Sequence, residues 1–259
     1  MKNNLTCACM MSIVLGACAE TDIPHYSLDG ATTKTIRGGD QTNYSVVAIN
    51  ATTNNDASGV LSQTYQAIDL FTPNNETLET FELVSEVNGS FQYSFANAHF
   101  FQSENGNLTL QAFSESGETF WLINEDKALL HTVFRPANFN NTSDDINSGV
   151  IPLFSCENDV CSTNGSTQFS LSPLSVETVE TEYAIFDSYK VSIQWEISMT
   201  LQDSESTIVN YFLSGQQWIH PNVGVVKFSY QLESGLGINT LIGSLNSTNI
   251  EIPSSLKIE

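Results

Sequence analysis

Val191-Ser192-Ile193-Gln194-Trp195-Glu196-Ile197-Ser198-Met199-Thr200-Leu201 sets six apolar residues in strict alternation with five polar ones. A period of two is the signature of a strand with one face on a core and the other in water. At ~3.3 Å per residue the stretch would extend about 36 Å, beyond the usual ~17–20 Å strand. Burying its six apolar side chains contributes roughly 9–18 kcal/mol gross, before conformational entropy is subtracted. This strand should anchor a sheet.

Its surroundings carry the same period. Downstream, Thr207–Ile219 and Val225–Leu232 read as long strands, and Val226, Phe228, Tyr230 and Leu232 alternate with Lys227, Ser229 and Gln231. Between them His220-Pro221-Asn222-Val223-Gly224 predicts a type II turn, with Pro second and Asn third, where positive φ is needed. Long neighbours joined by short turns give antiparallel pairing. Upstream, Ser45–Ile49, Leu61–Leu70, Thr80–Val84, Ser90–Phe95, Leu108–Phe113, Thr119–Ile123 and Ala128–Phe134 are strand-like runs separated by Asn-Asn, Asn-Gly and Ser-Gly signals. No stretch has a persuasive helical period. The class is all-β: a long, curved antiparallel sheet, half-barrel-like or a sandwich.

The start of the chain reads as an address. One Lys precedes an uncharged run, Leu5 to Leu15, which closes on Gly16-Ala17-Cys18. That is a secretory pattern, and the run falls short of the about 20 apolar residues a spanning helix needs. Residues 1–17 are thus expected to be a signal peptide. Residues 18–41, polar and punctuated by Pro24, Gly30, Gly38 and Gly39, read as a flexible tether. A single β-domain is expected over 42–252, with an irregular insertion at about 135–173 and a tail at 253–259.

Leu15-Gly16-Ala17-Cys18 resembles the bacterial lipobox, which implies cleavage before Cys18 and lipidation of that cysteine. Ala17-Cys18-Ala19 would also suit ordinary cleavage before Glu20. By the same resemblance Ala19 implies sorting to the outer membrane, facing periplasm or cell surface.

Composition bounds the partners. With 29 acidic against 8 basic side chains, the formal net charge is −21. Such a field repels nucleic acid and anionic headgroups. Only 14% of residues are charged, the remaining polarity being Ser, Thr, Asn and Gln, a profile that suits a secreted β-protein.

Cys7 and Cys9 lie in the signal, which leaves Cys156 and Cys161 as a pair. Five apart, in an oxidising compartment, and with no His nearby, they read as a local disulfide rather than a metal site.

Two stretches resemble a β-rich module widespread in bacterial lipoproteins and periplasmic proteins. Gln217-Trp218-Ile219-His220-Pro221-Asn222-Val223-Gly224-Val225-Val226-Lys227 is similar to its Y-W-x-A-P-G-V-G-x-V-K stretch, with Asn222 in place of the usual Gly. Glu182 to Val191 matches the other stretch loosely and lacks its Pro-Ala-Gly. Phe120 to His131 with Ile151-Pro152-Leu153 resembles the module's middle. The resemblance implies one domain, with Trp218, Pro221, Asn222, Gly224 and Lys227 as turn and packing residues. It implies no reaction.

A search for chemistry finds no Gly-x-Ser-x-Gly elbow, His-Glu-x-x-His, phosphate loop or dinucleotide fingerprint. His25, His99, His131 and His220 are far apart in sequence, and His220, beside a turn, reads as structural or exposed. Ser254-Ser255-Leu256-Lys257 matches a Ser-x-x-Lys pattern in a polar tail. Asp145 to Gly149 resembles half a calcium loop without its Glu, so no metal site, cofactor or catalytic residue is assigned. Asn88-Gly89-Ser90 and Asn107-Leu108-Thr109 are sequons of a kind that abundant Asn, Ser and Thr produce by chance.

The reading is a lipid-anchored, non-enzymatic binding or structural envelope protein with an unknown protein or envelope partner. The alternatives are a carrier or chaperone that holds an apolar ligand or lipoprotein in a half-barrel, and a glycan-acting enzyme. An apolar cavity of several hundred cubic ångströms would favour the carrier, and two carboxylates ~5–10 Å apart in a groove the enzyme.

Overall fold

A computed structural model describes residues 23–258, apart from 54, 105, 131, 136–144, 158–159 and 203–204. Cys18, the signal and His131 lie outside the described residues.

The strands in chain order are β1 (His25–Tyr26), β2 (Gln41–Asn50), β3 (Asp56–Phe71), β4 (Thr77–Gly89), β5 (Asn97–Gln102), β6 (Leu108–Glu115), β7 (Glu118–Trp121) and β8 (Thr132–Arg135). They continue with β9 (Ile146–Asn147), β10 (Ile151–Glu157), β11 (Val160–Glu180), β12 (Ile185–Thr200), β13 (Ile208–His220), β14 (Gly224–Ser234), β15 (Gly237–Thr248) and β16 (Lys257–Ile258). A 3₁₀ turn at Ser254–Leu256 is the helical element among the described residues.

All sixteen strands belong to one sheet. The curved antiparallel architecture read from the sequence is present, and it closes. Pairing runs from β12 through β13, β14, β15, β2, β3, β4, β5, β6, β7, β10 and β11, and β11 pairs back along β12 from Glu180↔Ile185 to Gly165↔Met199. The seam between β7 and β10 is thin, with one register pair, Phe154↔Trp121. Closure removes the exposed edges that an open sheet would offer to other chains.

The anchoring strand behaves as its period dictates. Val191, Ile193, Trp195, Ile197 and Met199 are buried, and their polar alternates face outward. Around Trp195 gather Phe95, Phe113, Phe134 and Phe169, with ring centroids 5.2, 5.7, 4.7 and 6.3 Å away. Outward rows such as Ser172, Ser192, Gln216, Ser229 and Ser170, Gln194, Ser214, Gln231 are polar and uncharged. Apolar inside and polar outside is the reverse of a transmembrane barrel.

Several expectations change. Ser90–Phe95 alternates but is not a strand. The β3–β4 hairpin ends where Gly59 and Gly89 meet so closely that a Cβ on Gly89 would lie 2.5 Å from the Gly59 Cα. Beyond that point the chain leaves the sheet and turns Phe91 and Phe95 inward.

The irregular insertion at 135–173 is in large part a hairpin. β10 and β11 pair from Ile151↔Thr167 to Glu157↔Val160, with Cys156 and Cys161 opposite one another and disulfide-bonded. Pro173, at the far bound of that insertion, sits at a bulge where the register skips Leu174, and a bulge tolerates a residue without an N–H.

The tether ends before residue 41. Pro24 accepts from Ile185 N at 2.8 Å, β1 pairs in parallel with β12, and Ile36 is buried. The tail is also held. Leu256 is buried and accepts from Ser27 N at 2.8 Å, and β16 pairs with β1. Polar composition hid both segments, because each docks through backbone pairing with few buried apolar side chains.

The turn after β13 is not type II. Asn222 has ordinary negative φ, Gly224 takes the positive value (+98°), and Val223 N donates to His220 O at 3.1 Å. This is the three-residue hairpin connection, a turn followed by a left-handed glycine. The bulk of Asn222 is accommodated because the glycine two places on carries the unusual conformation.

Candidate functional site

A cavity of about 160 Å³ lies inside the ring. β12 and β13 give it Ile193, Trp195, Leu213 and Gln217, while β2, β3 and β14 give Tyr44, Tyr65 and Tyr230. The inward-turned segment after β4 adds Tyr93, Phe95 and Ala96.

Residues 34–40 form a strap across one end. Lys34 N donates to Pro221 O at 3.3 Å, Ile36 N to Gln102 Oε1 at 2.7 Å, and Gly39 N to Tyr65 O at 2.7 Å. The Lys34 ammonium is 3.3 Å from the Asp40 carboxylate, so the two charges on this rim neutralise each other.

The polar groups of the wall are mostly engaged. Tyr44 OH donates to Val225 O and Tyr230 OH to Gln217 Oε1, each at 2.9 Å. Burial pushes the Tyr93 phenol up to about 12 and that of Tyr230 well above its ordinary value, so both remain hydroxyl donors at neutral pH. The exception is Asn222. It is 6% exposed on the cavity wall, and its Oδ1 is buried without a partner.

The signature residues divide between the two faces of the sheet. Pro221, Asn222 and Gly224 line the cavity. Trp218 and Lys227 pair across β13 and β14 on the outside, where Trp218 lies under Lys190 and Lys227, their ammonium groups 5.1 and 5.4 Å from its ring. Glu177 completes this outer cluster, accepting from Trp218 Nε1 at 2.8 Å and Lys190 Nζ at 3.0 Å. The Trp218 hydrogen bond, then Lys190, hold the Glu177 carboxyl below its ordinary value.

His99 Nε2 is 2.6 Å from Ser114 Oγ, a serine–histidine contact with no local sequence signal, because it depends on β5–β6 register. Ser114 opens on a polar cleft of about 270 Å³ that shares Ser85, Tyr93, Phe95 and Asn97 with the cavity wall. Glu82 approaches the same nitrogen at 3.9 Å, while Nδ1 is buried without a partner. A nucleophile relay needs the carboxylate on the opposite nitrogen, to orient the ring and stabilise its charge. Here a proton taken from Ser114 would leave a buried, poorly compensated imidazolium, and burial already pushes the His99 value down.

A larger, open depression of about 770 Å³ at the rim holds Glu196 and Glu233 on either side of Phe212. Two strand spacings separate their backbones by about 10 Å. No group of metal-binding side chains occurs among the described residues, and no helix there is long and apolar enough to cross a membrane.

No protein-family profile matches the chain, and no curated protein matches it. Among solved structures, a Bacteroides fragilis protein described as exported, with a YmcC-like fold, aligns at 12% identity and TM-score 0.33, covering 85% of this chain and 99% of its own. A Parabacteroides distasonis protein described as a lipoprotein aligns at 13% identity and TM-score 0.31, covering 84% and 97%. The Escherichia coli hypothetical lipoprotein YmcC aligns at 10% identity and TM-score 0.25, covering 83% and 92%.

Proposed function

We propose that this chain is an exported envelope lipoprotein, anchored through Cys18 in the outer membrane, that binds a small apolar group inside its sheet ring. The cavity is the observation that carries the binding reading. Drug-sized ligands occupy pockets of about 300–1,000 Å³, whereas an engineered apolar cavity of about 150 Å³ takes benzene. At about 160 Å³ the cavity suits one ring or a short branched alkyl group, not a whole acyl chain. That size disfavours the lipoprotein-carrier form of the reading and keeps the small-ligand form.

The docked start of the chain adds geometry. Five residues lie between Cys18 and Pro24, and the six steps from one to the other, at ~3.3–3.6 Å each, reach at most about 22 Å. A lipid on Cys18 would therefore hold the ring close to the membrane surface.

The test is thermal unfolding of the full chain with and without benzene. Ligand binding to the folded state alone raises the melting temperature. Ala98, buried on the cavity wall, offers a filling variant. Ala98→Leu should melt higher without benzene and lose the benzene response. No response in the unaltered chain would sink the reading.

A further inference from the structure

We infer that the open depression at the rim docks a basic amphipathic helix of a partner protein, two cations of which meet Glu196 and Glu233 across an apolar side chain seated on Phe212. Nearer the middle of these strands the outward rows are polar and uncharged. In the depression the face changes character. Val150 and Ile208 are 71% and 64% exposed, and Phe212 is partly buried between the two carboxylates. Exposed apolar groups rimmed by polar ones mark an interaction surface. Glu196 stands directly opposite Phe212 and Phe212 opposite Glu233, so all three project from one face of β12, β13 and β14.

Charge selects the occupant. Among the described residues no Lys, Arg or His lines the depression, and neither glutamate enters an ion pair. Between residues 136 and 256 the sequence has 13 Asp and Glu against two bases, Lys190 and Lys227, and both of these lie at Trp218. A cationic partner is steered to such a surface and an anionic one is repelled. Spacing selects its form. Residues i and i+7 of a helix share a face and lie about 10.5 Å apart, which matches the about 10 Å between the two glutamate backbones and puts i+3 and i+4 over Phe212. An extended peptide repeats a face every ~7 Å and then ~13 Å, and misses both. Glu196 is ten residues along β12 from Phe186, where β1 pairs, so about 33 Å of strand separates the depression from the N-terminal segment and leaves it open.

The experiment is fluorescence anisotropy of the full chain in phosphatidylcholine nanodiscs at low salt, corrected against empty discs, with two labelled helical peptides of identical composition. One carries Lys at i and i+7 with Leu at i+3 and i+4. In the other the second Lys is moved to i+9, on the opposite face. The first should bind about fivefold more tightly than the second. Glu196→Gln with Glu233→Gln should weaken the first by about tenfold and bring the two peptides level. Glu180→Gln with Glu251→Gln removes the same charge from exposed positions elsewhere and should leave binding unchanged. Equal affinity of the two peptides for the unaltered chain, or equal weakening by the two double variants, would mean attraction by the overall field alone and overturn the inference. Failure of the first peptide to bind would overturn it too. The ranking on the unaltered chain decides even where a variant does not fold, and the benzene response of the cavity is a separate result.

Discussion

Nε2 of His220 donates to the backbone carbonyl of Ser27 across 3.2 Å, joining the end of β13 to the segment that follows β1. The imidazole is fully buried against Phe186, its ring centroid 5.3 Å away, and Nδ1 has no partner. Burial pushes the His220 value down against the opposing pull of Ser27 O and Asp187. His99 is also pushed down by burial, with Glu82 opposing.

Both histidines therefore favour the neutral form on folding. A lowered folded value means that the unfolded chain binds more protons, so the contribution is complete above the ordinary value of about 6.5 and is lost as pH falls through the folded values. Urea midpoints should decline from pH 7 to pH 5. His220→Gln, which keeps a donor but does not titrate, should decline less; an equal decline would contradict the assignment.

Gly215, in the middle of β13, has φ of +148°, and a Cβ there would stand 2.1 Å from Ser229 O of the paired strand. Backbone cannot yield as a flexible side chain can. Gly215→Ala should cost about 1–3 kcal/mol, read as a lower urea midpoint. Gly235→Ala, where an added Cβ meets nothing within 4 Å, is the control.

Trp218→Phe keeps a ring beneath Lys190 and Lys227 but removes the Nε1 donor to Glu177. The Glu177 carboxyl should then titrate closer to its ordinary value, followed by carbon-detected NMR of labelled glutamate. The cluster is partly exposed, so the expected effect on stability is small. An unmoved titration would show that Lys190 alone sets the shift.

Cys156–Cys161 closes a short loop packed with Trp121, Ala112 and Ile123 in a small second core. Replacing both cysteines by Ser should lower stability by about 2 kcal/mol on chain-entropy grounds. The benzene response should survive, because neither cysteine touches the cavity. Losing it would show that the thin β7–β10 seam controls the ring interior.

For the anchor, Cys18→Ser should abolish labelling with a clickable fatty acid and move the protein from the membrane fraction to the soluble one. Labelling that persists would place the acyl group elsewhere.

Local pattern determined much of this protein. The alternation in Val191–Leu201 forces one face of β12 into a core, because a period of two can bury half a strand and no helix face. The same rule exposed β13, β14 and the strands from β2 to β7, apart from β5. It failed where the signal was not local: Ser90–Phe95 alternates yet turns inward without pairing, and Pro173 hides within a 21-residue strand because a bulge absorbs it.

Closure of the sheet, the strap at 34–40 and the orphaned oxygen of Asn222 needed the tertiary structure. Each depends on register between residues far apart in the chain: β11 against β12 to seal the ring, Lys34 against Pro221 to cross its end, and the β13–β14 turn against the interior to leave Oδ1 without a partner. The sequence states which side chains seek burial. Only the pairing of distant strands decides which of them meet, and whether room remains between them.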